Sequence, residues 1–352
     1  MCMVFIVFVF TLILYMFQLY GMKYLREEKP RNAYTPTVSI IIPSYKSRIE
    51  KTLKSALKID YPKKEIIVIN DFPDNTKAIC ENLGVKCIQK RKRLGKPNAL
   101  NLGIKHSKGE ILLLLDSDTL VPRNILKEII PWFTNKKVSA VMPGYKSDIF
   151  RGLKKMIDIE NTLMLSFVRA MMFFKTSIGY RGCCVALRRE TVKKLGGIPQ
   201  TILEDNDFAA KIVKSGHAII YEPSVYVKTQ EPKNLKELKK QKFRWGKGAF
   251  FTFLHHYSFY AKSPQFLLCF LPYALIIAGL LLNNFSEAVY APFLIPFHIY
   301  IITRNERKLM LKDIVKFTFL YLPVVLCFYL RGVVSGIKAK LKAEPELDLN
   351  CW

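Results

Sequence analysis

Thr37 to Asp71 reads TVSIIIPSYKSRIEKTLKSALKIDYPKKEIIVIND. It opens with TVSIIIP, a β-branched run closed by Pro43, and it closes with EIIVIND, a second such run that ends in a carboxylate. β-Branched residues fit a pleated, buried surface, and a proline ends the ladder. Between the two, Ile49 to Lys58 has helical spacing. Strand, helix and strand in this order make a βαβ unit, and parallel sheets built from such units place ligands at the carboxyl ends of their strands. Tyr45 and Asp71 stand at two of those ends. A carboxylate there can accept from an imide or ribose donor of a nucleotide, and an aromatic ring can stack on its base. The plainer alternative is that an Asp after a strand serves as a cap or turn residue.

Moving outward, Glu110 to Leu115, EILLLL, has the continuous apolar character of a strand buried on both faces. It runs into Asp116-Ser117-Asp118. Two carboxylates two residues apart at the end of a buried strand can share a divalent cation, and Mg²⁺ or Mn²⁺ held this way completes its shell with water and substrate phosphates. The alternative is a polar turn leaving the sheet. Upstream, Leu94 to Asn101, LGKPNALN, joins a flexible loop, a cation and a helix start, which together suit a diphosphate. The G-x-x-x-x-G-K-[ST] spacing of a P-loop is missing, and the basic run Lys90 to Arg93 reads as a solvated face. Leu203 to Asp207, LEDND, precedes the helical pattern Phe208 to Lys214 and supplies either helix capping or a general base. Gln241, Arg244 and Trp245, at positions i, i+3 and i+4, fall on one helix face, so a donor, a cation and a flat ring can meet one ligand.

The chain has 352 residues, half of them hydrophobic, with 55 Lys and Arg against 28 Asp and Glu and a net charge of +27. Length and apolar content exclude a small stapled domain and a mainly disordered chain. A surplus this large points to a polyanion, whether nucleic acid, an anionic membrane face or a phosphate-bearing substrate. The eight cysteines include no C-x-x-C pair and no His at zinc spacing. That argues against a structural metal site or a disulfide scaffold and for reduced thiols.

Met1 to Tyr20 carries no charge and is long enough to cross a hydrocarbon core of about 30 Å. A membrane helix over residues 1–21 is expected, since the basic n-region and small-x-small site of a signal peptide are lacking. Lys23, Arg26 and Arg31 follow, which by the positive-inside bias puts the next segment in the cytoplasm. From Thr37 to Lys262 short apolar runs alternate with helical stretches, the pattern of a soluble α/β domain. Pro264 to Phe285 and Ala288 to Thr303 are again apolar, separated by a polar link at Asn283 to Glu287, and read as a hairpin of two membrane helices ending at Arg304, Arg307 and Lys308. The last apolar run, Ile314 to Leu330, precedes Arg331, Lys338, Lys340 and Lys342, and a crossing is favoured there over a re-entrant or interfacial path. The expected organisation is an N-terminal helix (1–21), a cytoplasmic domain (37–262), a membrane region of two or three helices (264–335) and a tail (336–352). This describes a multi-pass membrane protein with its α/β domain in the cytoplasm. No internal repeat is visible.

IIPSY, DYPKKEIIVIND, GKPNALN, ILLLLDSDT, GYRGCCVALRRE, LEDNDFAAKI and QKFRW occur together and in this order. From about Val38 to Gly248 the chain resembles the membrane-bound family 2 glycosyltransferases, the class of hyaluronan, chitin and cellulose synthases and ceramide glucosyltransferases. The resemblance implies a GT-A fold, Rossmann-like with a mostly parallel sheet, and an inverting transfer of a sugar from a nucleotide sugar, most often a UDP-sugar. It matches Pro43, Tyr45 and Asp71 to nucleoside-binding positions, and Lys96, Asp116 and Asp118 to those that hold the diphosphate, with Asp116 and Asp118 holding its Mg²⁺ or Mn²⁺. Asp205 matches the general base, with Glu204 beside it. Gln241, Arg244 and Trp245 match the motif at the acceptor and diphosphate end, while Gly182, Cys183 and Cys184 match the segment near the acceptor terminus, which makes the vicinal cysteines a packing feature. It also implies helices along the membrane surface at about 150–175 and 233–262. Asn70, Leu203 and Lys46-Ser47-Arg48 depart from the family pattern, and these changes bear on donor identity more than on reaction type.

Three functions compete. The leading one is a membrane glycosyltransferase acting on a lipid-linked or growing glycan acceptor at the cytoplasmic face. A lipid-linked acceptor is favoured over a processive polysaccharide synthase, because three or four helices offer little wall for a polymer conduit. A nucleic-acid binder is disfavoured, since no recognisable finger, helix-turn-helix or stacking sheet is present. An inactive membrane scaffold is disfavoured by the intact carboxylate set. The cationic surplus therefore reads as membrane contact and diphosphate binding, with no nucleic acid partner.

Overall fold

The computed structural model describes residues 2–30, 34–46, 49–149, 151–266, 291–303 and 310–342. Helix α1 spans Cys2–Glu27, and the α/β part follows with β1 (Val38–Ser44), α2 (Glu50–Leu57), β2 (Lys64–Asn70), α3 (Thr76–Asn82), β3 (Lys86–Gln89), α4 (Lys96–His106), β4 (Ile111–Leu115), the two-residue β5 (Thr119–Leu120) and α5 (Ile125–Ile129). It continues through β6 (Val138–Ser147), α6 (Gly152–Met171), β7 (Cys184–Arg188), α7 (Arg189–Lys194), α8 (Glu204–Lys214), β8 (Ala218–Thr229) and α9 (Leu235–Lys262). After this come α10 (Ala291–Thr303), α11 (Leu311–Lys316), a π-helical segment at Phe317–Tyr321 and α12 (Leu322–Leu341).

The apolar runs read from the sequence are the core strands. Every residue of β1 and β4 is buried, with Ile40, Ile41, Ile42, Leu112 and Leu113 fully inaccessible. The sheet runs β3-β2-β1-β4-β7-β6-β8-β5. Its first four strands are parallel, as expected from the βαβ units. Beyond β4 the sheet is mixed, not mostly parallel: β7 is antiparallel to β4 and β6, β6 and β8 are parallel, and β5 is antiparallel to β8. The difference has a simple origin. After α6 the chain returns at the carboxyl end of the sheet, so β7 enters beside β4 from the opposite direction, with Leu115 opposite Cys184. Strand order reverses at β1, which lies between β2 and β4, and this opens a crevice outside the strand ends.

Further helices pack against the α/β part. α1 lies along α6, where a Cβ on Gly21 would come within 2.1 Å of the Arg169 carbonyl oxygen, and Phe17 stacks on Phe173 at 4.2 Å. Lys29, just past α1, pairs with Glu128 at 2.6 Å and Glu222 at 2.9 Å, tying the end of that helix to the sheet. α10 meets α1 through a 2.6 Å contact between Thr11 Oγ1 and His298 Nδ1. The hairpin expected at 264–303 falls largely on 267–290, outside the described residues.

Leu311–Leu341 is, among the described residues, the helix long and apolar enough to cross a membrane. It is fixed to the α/β part along much of its length. Asp313 pairs with Lys155 of α6 at 2.7 Å. Farther on, α12 crosses α9 backbone to backbone: a Cβ on Gly246 would lie 2.0 Å from the Tyr329 carbonyl oxygen, and one on Gly332 2.1 Å from that of Phe243. Gly332 and Gly336 form a G-x-x-x-G seam of the kind that brings helices into close approach. Gly246→Ala is expected to destabilise the fold by about 1–3 kcal/mol, as overpacking does, and Leu341→Ala at the exposed end to stay within about 0.5 kcal/mol of the parent. Thermal unfolding of the detergent-solubilised protein reads both.

Candidate active site

The site grows from the strand ends. β1 delivers Pro43 and Tyr45, β2 delivers Asp71, and β4 delivers Asp116 and Asp118. Because β7 runs antiparallel beside β4, the residues just before it, Gly182 and Cys183, arrive at the same edge, and the Asp116 amide donates to the Cys183 carbonyl at 2.9 Å. α8 begins there with Glu204 and Asp205. The capped start of α9, where Asn234 accepts from the Glu237 amide at 2.9 Å, sets Gln241, Arg244 and Trp245 along one face. These twelve residues and Lys96, every one singled out in the sequence, line one cleft of about 380 Å³.

Its floor is a charge cluster. Lys96 Nζ lies 2.7 Å from Asp116 Oδ1 and 3.0 Å from Glu204 Oε1, and it donates to the Gly182 carbonyl at 3.3 Å. Burial works against the ammonium, but Asp116 and Glu204 outweigh it and hold Lys96 above the ordinary lysine range. Burial also lifts the Glu204 carboxyl, against the pull of Lys96. Burial and then the charge of Asp116 push Asp118 up to about 6. Asp116 and Asp118 are thus two oxygen ligands close enough to repel, a donor set that suits a hard divalent cation.

Asp205 lies in the first turn of α8, where the helix start favours negative charge. Its Oδ2 accepts from the Gly182 amide at 2.9 Å and its Oδ1 from the Asn206 amide at 2.9 Å. The approach at Gly182 is close: a Cβ there would stand 3.0 Å from Asp205 Oδ2 and 3.3 Å from Lys96 Nζ, so these side chains would have to shift by a few tenths of an ångström to admit it. Cys183 and Cys184 are buried and free. Burial pushes the Cys183 thiol up to about 12, so the vicinal pair packs without being an activated nucleophile.

At the other end Asp71 is 3% exposed. It accepts from the Lys90 ammonium, from the Leu94 amide at 3.2 Å and from the Gly95 amide at 2.8 Å. Asp71 therefore organises the loop ahead of α4 as well as lining the cleft. Lys90, read from the sequence as part of a solvated face, is turned inward. Arg93 of the same run was equally unmarked; it lines the cleft and stacks over the Tyr45 ring at 4.1 Å. Arg181 is the other residue that sequence reasoning missed. It stands in the quoted segment GYRGCC, and its signal was an isolated cation immediately before the Gly-Cys-Cys that enters β7.

An α/β fold with a GT-A-like mixed sheet and this cleft at its strand ends defines the glycosyltransferase class. Residues 39–196 match glycosyl transferase family 2. It is 29% identical over 242 residues to the poly-beta-1,6-N-acetyl-D-glucosamine synthase of Staphylococcus aureus, covering 65% of this chain and 58% of that protein. It is 27% identical over 282 residues to the "Probable glycosyltransferase YdaM" of Bacillus subtilis, covering 71% of this chain and 65% of that protein. The chain therefore matches less than two thirds of the length of these relatives. The mannosyltransferase PcManGT of Pyrobaculum calidifontis, solved with GDP-Man and Mn²⁺, shares the fold at a TM-score of 0.60 and 21% identity, covering 95% of this chain and 99% of that one.

Lys96→Met leaves Asp116 and Glu204 without their shared cation. Breaking a buried pair from one side costs roughly 3–5 kcal/mol, and with about one fifth of the Lys96 side chain accessible a loss near the lower end of that range is expected. Chemical denaturation of the purified protein checks it.

Proposed function

We propose that this protein is an inverting glycosyltransferase that moves a sugar from a nucleoside diphosphate sugar, most simply a UDP-sugar, to a hydroxyl of a lipid-linked or growing glycan acceptor. The observation that carries the proposal is the convergence of a nucleoside wall (Tyr45, Asp71, Arg93), a carboxylate and ammonium floor (Lys96, Asp116, Asp118), a helix-start carboxylate (Asp205) and an aromatic wall (Trp245) in one cleft.

In this reading Tyr45 and Arg93 face the base, and Asp71 holds the loop that carries Lys96. Lys96 and Arg244 supply fixed positive charge to the departing diphosphate, a preorganised arrangement that costs no reorganisation during reaction. Asp116 and Asp118 would hold Mg²⁺ or Mn²⁺, which when bound adds Lewis-acid stabilisation of that leaving group. Among the described residues no group of three or more His, Cys, Asp or Glu forms an all-protein cage. That accords with a cation sharing its shell with substrate phosphates. Asp205 takes the proton of the attacking hydroxyl. A free Asp, with a pKa of about 3.9, is a weak base, so its fixed place at the Gly182 amide, and the positioning of the acceptor against Trp245, do much of the work.

The membrane-facing helices α6 and α9 carry the acceptor wall, with the α/β domain on the cytoplasmic side. Leu311–Leu341, long and apolar enough to cross a membrane, is bound to α6 at Asp313 and to α9 at Gly332, which supports a membrane segment tied directly to the acceptor wall. A processive polysaccharide synthase is the second reading, favoured by the similarity to the poly-N-acetylglucosamine synthase.

The test is a panel of nucleotide sugars with Mn²⁺ and membrane lipid extract as acceptor, read by mass spectrometry. One donor is expected to be transferred. Asp205→Asn is expected to cut turnover by about 10²–10⁴-fold, the usual contribution of a general base, with nucleotide binding retained. Asp118→Ala is expected to abolish Mn²⁺-dependent nucleotide binding in calorimetry. If no donor in the panel is transferred or hydrolysed and Asp205→Asn changes nothing, the proposal fails.

A further inference from the structure

Two cations stand against the Trp245 ring. Lys242 Nζ is 4.0 Å from its ring centroid and the Arg181 guanidinium 5.4 Å, both inside the range of about 6 Å over which a ring face attracts a cation. Arg181 and Trp245 line the cleft, whereas Lys242 is withdrawn from solvent, its side chain 1% exposed. A buried ammonium needs a partner. Here the partner is Glu160 of α6: Lys242 Nζ donates to its Oε1 at 2.5 Å, and the Tyr321 hydroxyl donates to its Oε2 at 2.6 Å. Tyr321 is the last residue of the π-helical segment before α12, and such segments often mark functional positions.

The second cation is fixed from the neighbouring residue. Arg181 donates to Asn161 Oδ1 at 2.6 Å and to Glu231 Oε1 at 2.8 Å, and Asn161 Nδ2 donates to the same Glu231 oxygen at 3.0 Å. Glu160 and Asn161, adjacent on α6, thus hold the two cations that stand against one ring. The Glu160 side hydrogen-bonds to the C-terminal segment through Tyr321, and the glycine crossing of α9 with α12 fixes that helix against the backbone of Phe243, next to Lys242.

We infer that Glu160 is a positioning residue that couples the C-terminal helix to the acceptor wall: one carboxylate oxygen takes the Tyr321 hydroxyl, the other takes Lys242, and Lys242 in turn sets the orientation of Trp245. None of the three, Glu160, Lys242 or Tyr321, touches the cleft. The inference deepens the transferase reading and rests on it for the word acceptor. The structural coupling itself needs no turnover to be measured.

The full chain, labelled with 5-fluorotryptophan in lipid nanodiscs, gives fluorine resonances from Trp132, Trp245 and Trp352, assigned with Trp245→Phe. Tyr321→Phe, which removes one hydroxyl and leaves the ring packed, and Glu160→Ala should each move the Trp245 resonance by more than its linewidth. Trp132, whose indole N–H donates to Glu222 at 2.7 Å, should stay in place as the marker of an intact fold. Adding Tyr321→Phe to Glu160→Ala should produce no further shift. A Trp245 resonance unmoved by both variants, shifts that simply add, or a Trp132 resonance that moves as far as that of Trp245 would each overturn the coupling. In the transfer assay, Tyr321→Phe should raise the half-saturating amount of lipid extract about tenfold, the factor carried by one hydrogen bond to a charged group. The half-saturating donor concentration should not change, and an equal rise in both would overturn the positioning role. Absence of transfer from every donor, with the resonance coupling present, would count against the transferase reading and for the coupling.

Discussion

One ammonium group organises the floor of the cleft. Lys96 bridges Asp116 at the end of β4 and Glu204 at the start of α8, and it also donates to the carbonyl of Gly182 ahead of β7. These three segments come from distant parts of the chain, and the Lys96 contacts add to the pairing of β4 with β7 and to the Gly182 amide bond with Asp205. Without the cation, two carboxylates would face each other in a poorly hydrated pocket, which is costly. The Gly182 amide extends the same contact to Asp205. The residues proposed to hold the diphosphate and the residue proposed to take the proton are therefore held by one connected set of polar contacts, and a displacement at either end is felt at the other.

The half of the fold built from parallel strands was legible because its signals are local. TVSIIIP, EIIVIND and EILLLL are uninterrupted apolar runs, and each is followed by the polar residue that ends up at the site. The second half of the sheet was not legible in this way. Nothing in the periodicity of Cys184 to Arg188 says that it will run against β4, yet that pairing is what brings Gly182 and Cys183 to Asp116. Most of the cleft residues were found for a similar reason, since they sit at element boundaries, whereas Gln241, Arg244 and Trp245, inside α9, were found by their helical spacing. Arg93 escaped because it stands in a basic run that reads as a solvated face, and Arg181 because an isolated cation has no period and its partners, Asn161 and Glu231, lie elsewhere in the chain. Asp71 shows the opposite limit. Its position was read correctly, but the three donors that engage it belong to Lys90, Leu94 and Gly95 and become visible only in three dimensions.

The helical layer gives the large cationic surplus a physical place. Part of it is internal, with Lys96, Arg181 and Lys242 each paired to a carboxylate around the cleft. The C-terminal helix is long and apolar enough to cross a membrane, and it is also packed on the domain, where Asp313, Tyr321, Gly332 and Gly336 all meet α6 or α9. Those two helices also carry or support Arg244 and Trp245. In the proposed function, then, the part of the protein nearest the membrane is also the part that shapes the acceptor wall.

The proposed reaction is a single displacement with one base, Asp205, and no enzyme nucleophile: Glu204 is paired with Lys96, and Asp116 and Asp118 are assigned to the divalent cation. Its stereochemistry follows, because a hydroxyl that attacks opposite the departing diphosphate must invert the anomeric carbon. The most direct measurement is the proton coupling at the anomeric centre of the purified product, compared with that of the donor sugar. The account predicts inversion, and retention of the donor's configuration would contradict it.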